Sequence, residues 1–251
     1  MRFARIGAYG GTFDPIHRGH VEIASTVREK FDLDKLLIIP AASPPHKDPR
    51  GLSSSHHRFA MAAIGTLAIQ GVRVSAMEIE NPAKPYTFET VARLRAEYGP
   101  QAELYFIVGS DSFEEMHTWR CPDLILSGCN LIVAARPGYA LCKDNLGGWP
   151  KVEDPEGATG QTGSYSSSRG LPHGPSIIDL TGDRRAETAT IERREAGLIF
   201  LTDYIEADVS STEIRRRTAQ NLDIREMVPQ GVADYIGKYE LYKASEAAGM
   251  Q

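Results

Sequence analysis

Short apolar runs without polar interruption are the feature that most constrains the fold of this chain. Leu36–Ile39 and Leu104–Val108 are apolar at every position, not at every second one. Such runs are typical of strands buried on both faces, as in a parallel sheet covered by helices. Six segments are predicted to be strands: Phe3–Tyr9, Lys35–Pro40, Val72–Ile79, Glu103–Val108, Asn130–Ala135 and Leu198–Thr202.

Segments with helical periodicity alternate with these strands. The predicted helices are Gly19–Phe31, Ser55–Ile69, Thr87–Tyr98, Phe113–His117, Ser211–Thr218 and Ile224–Tyr239. Alternating strands and helices predict an α/β fold with a doubly wound parallel sheet. Ligands of such sheets bind beyond the carboxyl ends of the strands, where the strand order reverses. Motifs that directly follow a strand are therefore the best candidates for function.

The length of 251 residues predicts a single domain over residues 1–251 with one long surface insertion. Eighteen of the thirty residues 147–176 are Gly, Pro, Ser or Thr, and a charged stretch follows them. This composition is typical of a flexible loop, so we assign residues of about 143–196 to the insertion.

Composition excludes several classes of protein. The net charge is −5, which disfavours a general nucleic-acid binder, and no apolar run approaches the roughly 18 residues of a membrane helix. Cys121, Cys129 and Cys142 lack the spacing of a metal site. We interpret them as reduced thiols of a cytoplasmic protein. The oligomeric state cannot be derived from the sequence.

The segment Gly10–His20, GGTFDPIHRGH, follows the first strand and opens a helix. Gly10 and Gly11 predict a tight turn that brings main-chain amides close to a ligand, with Thr12 and Phe13 in the same loop. Amides at a helix start favour phosphate. His17 and His20, three residues apart, can donate to the same anion. A His-x-x-His pair alone is more often a surface or metal-binding feature, but no Cys, His or carboxylate cluster obviously completes a zinc site.

A second candidate phosphate element follows the last predicted strand. Ser210 or Ser211 is a good N-cap for the helix that begins there, and Arg215 lies one turn into it. The exposed amides and hydroxyls of such a turn bind phosphate, and arginine can make a forked contact to it. By itself this pattern is also that of an ordinary capped helix with a basic face.

Together the two motifs resemble those of a known superfamily. The first is similar to the GTFDPxHxGH signature of nucleotidyltransferases, whose HxGH part is shared with class I aminoacyl-tRNA synthetases, and the second to their SSTxIR motif. The resemblance implies a Rossmann-like nucleotidyltransferase fold in which the histidines hold the phosphates of ATP during adenylyl transfer.

Further stretches narrow the resemblance to the bacterial nicotinate mononucleotide adenylyltransferases. They are Pro44–Lys47, Pro85–Thr90, Gly109–Asp111, Thr118–Trp119, Leu131–Tyr139 and Tyr235–Tyr242. The similarity extends from residue 4 to about residue 242, and residues 143–196 fall outside it.

The resemblance implies a role for each matching position. Gly109 and Asp111 would bind the ribose of ATP, and Trp119 would stack on the pyridine ring of the mononucleotide. Thr87 would bind the nicotinate carboxylate at a helix start. The remaining expected mononucleotide contacts are His46, Lys47 and Arg136. Simpler interpretations remain open, since Trp119 could be a core residue, Thr87 part of a helix cap and Lys47 a solvated cation.

The implied reaction is adenylyl transfer from ATP to nicotinate mononucleotide, which gives nicotinate adenine dinucleotide and pyrophosphate. His20 would stabilise the α-phosphate, His17 the neighbouring phosphates, and Arg215 with Ser210 and Ser211 the β- and γ-phosphates. Mg²⁺ is expected to bind mainly through the phosphates of ATP, without a metal site on the protein. Two alternatives stay open: an enzyme that prefers nicotinamide mononucleotide, and a nucleotide-binding regulator without turnover.

Overall fold

The computed structural model describes residues 3–44, 51–81, 86–135, 176–182 and 197–243. The strands of these residues are β1 (Arg5–Gly11), β2 (Lys35–Pro40), β3 (Val72–Val74), β4 (Glu103–Gly109), β5 (Asn130–Ala134), β6 (Ser176–Asp179) and β7 (Leu198–Thr202). The helices are α1 (Arg18–Lys30), α2 (Ser55–Thr66), α3 (Thr87–Tyr98), α4 (Ser110–Glu114), α5 (Pro122–Gly128), α6 (Ser211–Ala219) and α7 (Gln230–Lys238). A 3-10 helix, Glu115–Thr118, follows α4.

The described strands form one sheet of seven in the order β3-β2-β1-β4-β5-β7-β6. Strand β2 pairs in parallel with β3, and β5 pairs in parallel with both β4 and β7. In this order the later strands are added on the opposite side of β1 from β2 and β3, as in doubly wound folds. The predicted Rossmann-like α/β fold is confirmed.

The continuous apolar runs lie in the core, as their pattern predicted. All five residues of β5 and of β7 are buried. In β2 the side chains of Leu36, Ile38 and Ile39 have no exposed surface. A strand that is apolar on both faces requires cover on both, which is why these segments occupy a helix-covered sheet and not an open one.

Two compact units make up the chain. One consists of Met1–Gly7 and Tyr86–Tyr204, and the other of Ala8–Pro85 and Ile205–Gln251. We call them the first and the second unit. The assignment of residues 1–251 to a single domain stays a prediction.

No described helix has the length and apolar character needed to cross a membrane.

Several elements differ from those predicted. Strand β6 lies within the segment assigned to the insertion and pairs in parallel with β7. Helix α5 was not predicted, and β3 is shorter than expected. Helix α7 begins at Gln230 and not at Ile224, because Pro229 is its N-cap and a proline inside a helix would remove a main-chain hydrogen bond.

Candidate active site

The loop between β1 and α1 does not turn at its glycines, so that part of the prediction is wrong. Gly10 and Gly11 belong to strand β1, and the left-handed residue of the loop is Phe13, with φ of 50°. A Cβ atom at Gly11 would lie 2.8 Å from Cζ of Phe13. Gly11 therefore makes room for the Phe13 ring. Phe13 as a whole is only 1% exposed, so it offers little surface for the predicted contact with ATP.

His17 and His20 cap the start of α1 reciprocally. His17 is the N-cap, and its Nδ1 accepts a hydrogen bond from the His20 amide at 3.4 Å. Nδ1 of His20 accepts from the His17 amide at 3.3 Å. An imidazole whose Nδ1 accepts a hydrogen bond carries its proton on Nε2. Both rings are thereby set as neutral Nε2–H donors, the form that can donate to a phosphate oxygen.

Packing also fixes the two imidazole rings. They stack on each other with centroids 3.7 Å apart, and the Phe13 ring contacts His20 edge-to-face at 5.0 Å. His17 is 6% exposed, whereas His20 is partly exposed. Rings held by caps and packing lose little further freedom when a ligand binds, which favours a preorganised site.

The second motif contacts the first directly, although about 200 residues separate them. Helix α6 starts at Ser211 with Ser210 as its N-cap. The Ser211 hydroxyl donates to the carbonyl of Pro15 at 3.0 Å, and Nη1 of Arg215 donates to the carbonyl of Asp14 at 2.7 Å. The structure thus brings together within the second unit all three predicted catalytic residues, His17, His20 and Arg215.

Glu22 of α1 adds a further connection between the two motifs. Its carboxylate oxygens accept from the amides of Glu206 and Ala207 at 3.0 and 2.9 Å. These amides lie just before the N-cap of α6. A Cβ atom at Gly19 would lie 3.3 Å from the Ala207 carbonyl and from the His17 ring. The absence of a side chain at Gly19 therefore lets the start of α1 approach the main chain at Ala207 closely.

Asp14 is a buried carboxylate whose role was not predicted. It is 1% exposed. Its Oδ1 accepts from the hydroxyl of Tyr242 at 2.6 Å, and its Oδ2 accepts from the Ser53 amide at 3.2 Å. Asp14 is part of the recognised motif, but its partners come from distant segments and no sequence pattern indicates them.

Arg58 of α2 supports the same loop from inside the protein. Its side chain is 1% exposed and donates to the carbonyls of Thr12 at 2.8 Å, Ser53 at 3.2 Å and Ala42 at 3.3 Å. Burial lowers the pKa of Arg58, and the nearby negative charge of Asp14 opposes that shift. The sequence shows only a charged residue on a helix, so it gave no signal for this role.

The first unit carries the other predicted contacts that are described. Thr87 is the first residue of α3, whose N-cap is Tyr86. Trp119 directly follows the 3-10 helix and is partly exposed, so it is not a core residue. The guanidinium carbon of Arg120 lies 4.8 Å from the centroid of the Tyr86 ring, which places the Trp119 segment at the start of α3.

The strand-β4 motif lies at the end of its strand, as predicted, but a helix begins within it at Ser110 and not at Phe113. Gly109 is the last residue of β4 and the N-cap of α4, and Asp111 lies exposed in the first turn of that helix. Ser110 between them is 1% exposed. His46, Lys47 and Arg136 lie outside the described residues. Within the described residues no group of three or more His, Cys, Asp or Glu side chains could hold a metal ion.

Comparisons with known proteins agree with this geometry. Residues 8–217 match the family described as cytidylyltransferase-like. A probable nicotinate-nucleotide adenylyltransferase of Thermoanaerobacter sp. (strain X514) is 33% identical over 250 residues, which cover 99% of each chain. A protein of the same description from Pelobacter propionicus is 36% identical, over 95% of this chain and 98% of its own.

The fold is similar to that of a solved structure. Plasmodium falciparum nicotinic acid mononucleotide adenylyltransferase, complexed with NaAD, superposes with a TM-score of 0.65 and 17% identity, covering 95% of this chain and 97% of that one. The resemblance inferred from the motifs is confirmed by the sequence relatives. The chain belongs to the cytidylyltransferase-like family and, within it, to the nicotinate-nucleotide adenylyltransferases.

Proposed function

We propose that this protein transfers the adenylyl group of ATP to nicotinate mononucleotide, forming nicotinate adenine dinucleotide and pyrophosphate in NAD biosynthesis. The observation that carries the proposal is the contact between the two phosphate motifs, through the bond from Arg215 to the Asp14 carbonyl. Full-length similarity to nicotinate-nucleotide adenylyltransferases identifies the substrates.

The chemistry needs no covalent nucleophile. The 5′-phosphate of the mononucleotide attacks the α-phosphorus of ATP in line, the new P–O bond forms, and the bond to pyrophosphate breaks. The attacking phosphate is already ionised near neutral pH because its second pKa is about 6. The barrier is mainly charge repulsion and orientation, and holding two substrates in place can contribute roughly 7–11 kcal/mol.

The second unit supplies the donors for the triphosphate. We assign Nε2–H of His20 to the α-phosphate and Nε2–H of His17 to the neighbouring phosphates. Arg215, with Ser210 and Ser211, is assigned to the β- and γ-phosphates. Because Arg215 is bonded to the Asp14 carbonyl and to Thr212 Oγ1, its charge is oriented before substrate binds. ATP contacts at Gly10, Gly11, Thr12, Gly109 and Asp111 are part of the same proposal.

Two side chains of the first unit are assigned to the mononucleotide. Partly exposed Trp119 offers a flat face for the pyridine ring. Thr87 offers a hydroxyl and a helix-start amide for the carboxylate. Lys47, His46 and Arg136 remain proposed contacts to this substrate. We also propose a cytoplasmic location, in line with the free thiols of Cys121 and Cys129.

Mg²⁺ is proposed as the cofactor, held mainly by phosphate oxygens of ATP and by water. When bound it neutralises part of the triphosphate charge. Removal of divalent cations with EDTA should abolish pyrophosphate release, and added Mg²⁺ should restore it.

Pyrophosphate release from ATP, measured with nicotinate mononucleotide and separately with nicotinamide mononucleotide, tests the function. We expect turnover with the nicotinate substrate and a lower kcat/KM with the amide. Release with neither substrate would favour a non-catalytic nucleotide-binding protein.

His20→Ala should lower kcat by about 10²–10³-fold, the loss typical of removing one donor to developing charge, while the far-ultraviolet circular dichroism stays unchanged.

A further inference from the structure

The proposed mechanism makes no use of one cluster of polar side chains. It consists of Asp14, Arg58 and Tyr242, all in the second unit. We propose that Tyr242 is a positioning residue for the ATP half of the reaction: its hydroxyl fixes Asp14, whose main-chain carbonyl orients Arg215. This inference rests on the proposed adenylyl transfer, because Arg215 is assigned to ATP there.

The contact between Tyr242 and Asp14 is short and part-buried. The hydroxyl donates to Oδ1 at 2.6 Å, across 228 residues of sequence. Tyr242 has a φ of 64°, in the left-handed region that residues with a side chain rarely adopt. Such a conformation persists where surrounding contacts over-determine it, so the Tyr242 side chain is held in place by its tertiary contacts.

The protonation state of Tyr242 suits a permanent donor. Burial raises its pKa well above the ordinary range, and the charge of Asp14 and their hydrogen bond raise it further. The hydroxyl therefore keeps its proton at every pH at which the enzyme would work. A carboxylate as buried as Asp14 needs such donors, because an uncompensated buried charge is strongly unfavourable.

The same residue, Asp14, leads on to Arg215. Both carboxylate oxygens of Asp14 are bonded, one to Tyr242 and one to the Ser53 amide, so the side chain has a single position. Its carbonyl then accepts from Nη1 of Arg215 at 2.7 Å. Loss of the Tyr242 hydroxyl would leave a buried acceptor unpaired and shift Asp14, and the guanidinium would move with it.

Tyr242→Phe tests this inference, with Tyr235→Phe as the matched control. The Tyr235 hydroxyl forms a hydrogen bond with a side-chain atom, Nδ1 of His57, at 3.0 Å, and lies in the same unit. We expect Tyr242→Phe to lower kcat/KM for ATP about 10- to 100-fold, the size of effect that misplacing a group by about 1 Å can cause. KM for nicotinate mononucleotide should not change. Tyr235→Phe should stay within twofold of wild type in both parameters.

A double-mutant cycle with Arg215→Ala separates positioning from general support of the fold. If Tyr242 acts through Arg215, adding Tyr242→Phe to Arg215→Ala should lower kcat/KM for ATP less than twofold further. An undiminished loss in that background would overturn the inference, as would wild-type kinetics for Tyr242→Phe. Calorimetric binding of ATP alone gives the same cycle if no mononucleotide supports turnover, so failure of the proposed function is recognised separately.

Asp14→Asn is a second variant for the case that Tyr242→Phe does not fold. It keeps the side-chain volume but turns the acceptor for the Ser53 amide, or the acceptor for the Tyr242 hydroxyl, into a donor. We expect the affinity for ATP to fall, and to fall less in the Arg215→Ala background. Equal falls in the two backgrounds would contradict the inference.

Discussion

Nδ1 of His17 caps helix α1, and its Nε2 is the proposed phosphate donor. Nδ1 accepts the His20 amide at the start of α1, and this bond leaves the proton on Nε2. Loss of activity on mutation of His17 would therefore have two causes, a lost helix cap and a lost phosphate donor.

Two substitutions separate these causes. His17→Ala should lower the free energy of unfolding by about 0.5–2 kcal/mol, the value of an N-cap, and should abolish turnover. His17→Asn should recover most of the stability, because asparagine is a good N-cap, but should remain inactive. Urea denaturation and pyrophosphate release measure the two effects. An active His17→Asn enzyme would exclude the imidazole from phosphate binding.

Ionisation of the Cys129 thiol is coupled to the free energy of unfolding. Cys129 is 1% exposed, its thiol donates to the Ile125 carbonyl, and burial raises its pKa from 9.0 to about 12. The unfolded chain loses this proton at a lower pH than the folded protein does. The contribution of the buried neutral thiol to the free energy of unfolding is therefore complete below about pH 9 and is lost as pH rises towards 12.

The comparison of wild type with Cys129→Ala tests this linkage. Between pH 9 and 11 the unfolding free energy of wild type should fall by about 1.4 kcal/mol per pH unit more than that of the variant. Urea denaturation at several pH values measures the difference. Parallel pH profiles of the two proteins would contradict the assignment.

In the native protein at pH 8, a thiol reagent should modify exposed Cys121 and leave Cys129 unmodified.

At the scale of elements, α1 and α6 are each linked by side-chain hydrogen bonds to the segment that precedes the other. Glu22 bonds two amides just before α6, and Ser211 bonds the loop just before α1. The start of α6 could be predicted from its capping serines, and that of α1 from its helical periodicity. Their contact could not, because it depends on how the sheet places its strands.

Glu22→Ala tests whether this contact positions the second motif. We expect a loss of about 1 kcal/mol in the free energy of unfolding, since Glu22 is partly exposed and water can replace part of its bonding. KM for ATP should rise several-fold, with KM for the mononucleotide unchanged. Glu29→Ala is the control, an exposed glutamate on the same helix. Equal KM values for ATP in the two variants would leave Glu22 with a purely local role.

At the scale of the whole molecule, the interior strands of the sheet were predicted from the sequence more accurately than its edge strand β6. The bounds of β2, β7 and α3 agree with those predicted, because continuous apolar runs and a clear helical period mark them. Strand β6 was missed because its four residues follow a segment rich in Gly, Pro and Ser, whose composition indicates a loop.

The candidate site shows the same division. His17, His20, Ser211 and Arg215 could be predicted from motifs that follow strands. Arg58 and Tyr242 could not, since their partners are main-chain carbonyls and one buried carboxylate from remote segments. Hydrogen bonds of this kind depend on the folded structure and leave no periodic signal in the sequence.

A substitution at Leu180 tests whether the segment around β6 contributes to the stability of the fold. Leu180 directly follows β6, has no exposed surface, and its amide donates to the Leu201 carbonyl at 2.9 Å. Leu180→Ala should cost about 2–5 kcal/mol of unfolding free energy, as for other fully buried leucines. Ile177→Ala, at a strand position that is 41% exposed, should cost under about 1 kcal/mol. Similar small losses for both would make β6 a dispensable addition.

The reciprocal cap of His17 and His20 has a consequence for how this protein can change over generations. Each imidazole is the acceptor for the amide of the other residue, so a mutation at one position alters the surroundings of both. The effects of substitutions at positions 17 and 20 are therefore expected to be non-additive, and a replacement keeps its half of the cap only if it accepts an amide proton.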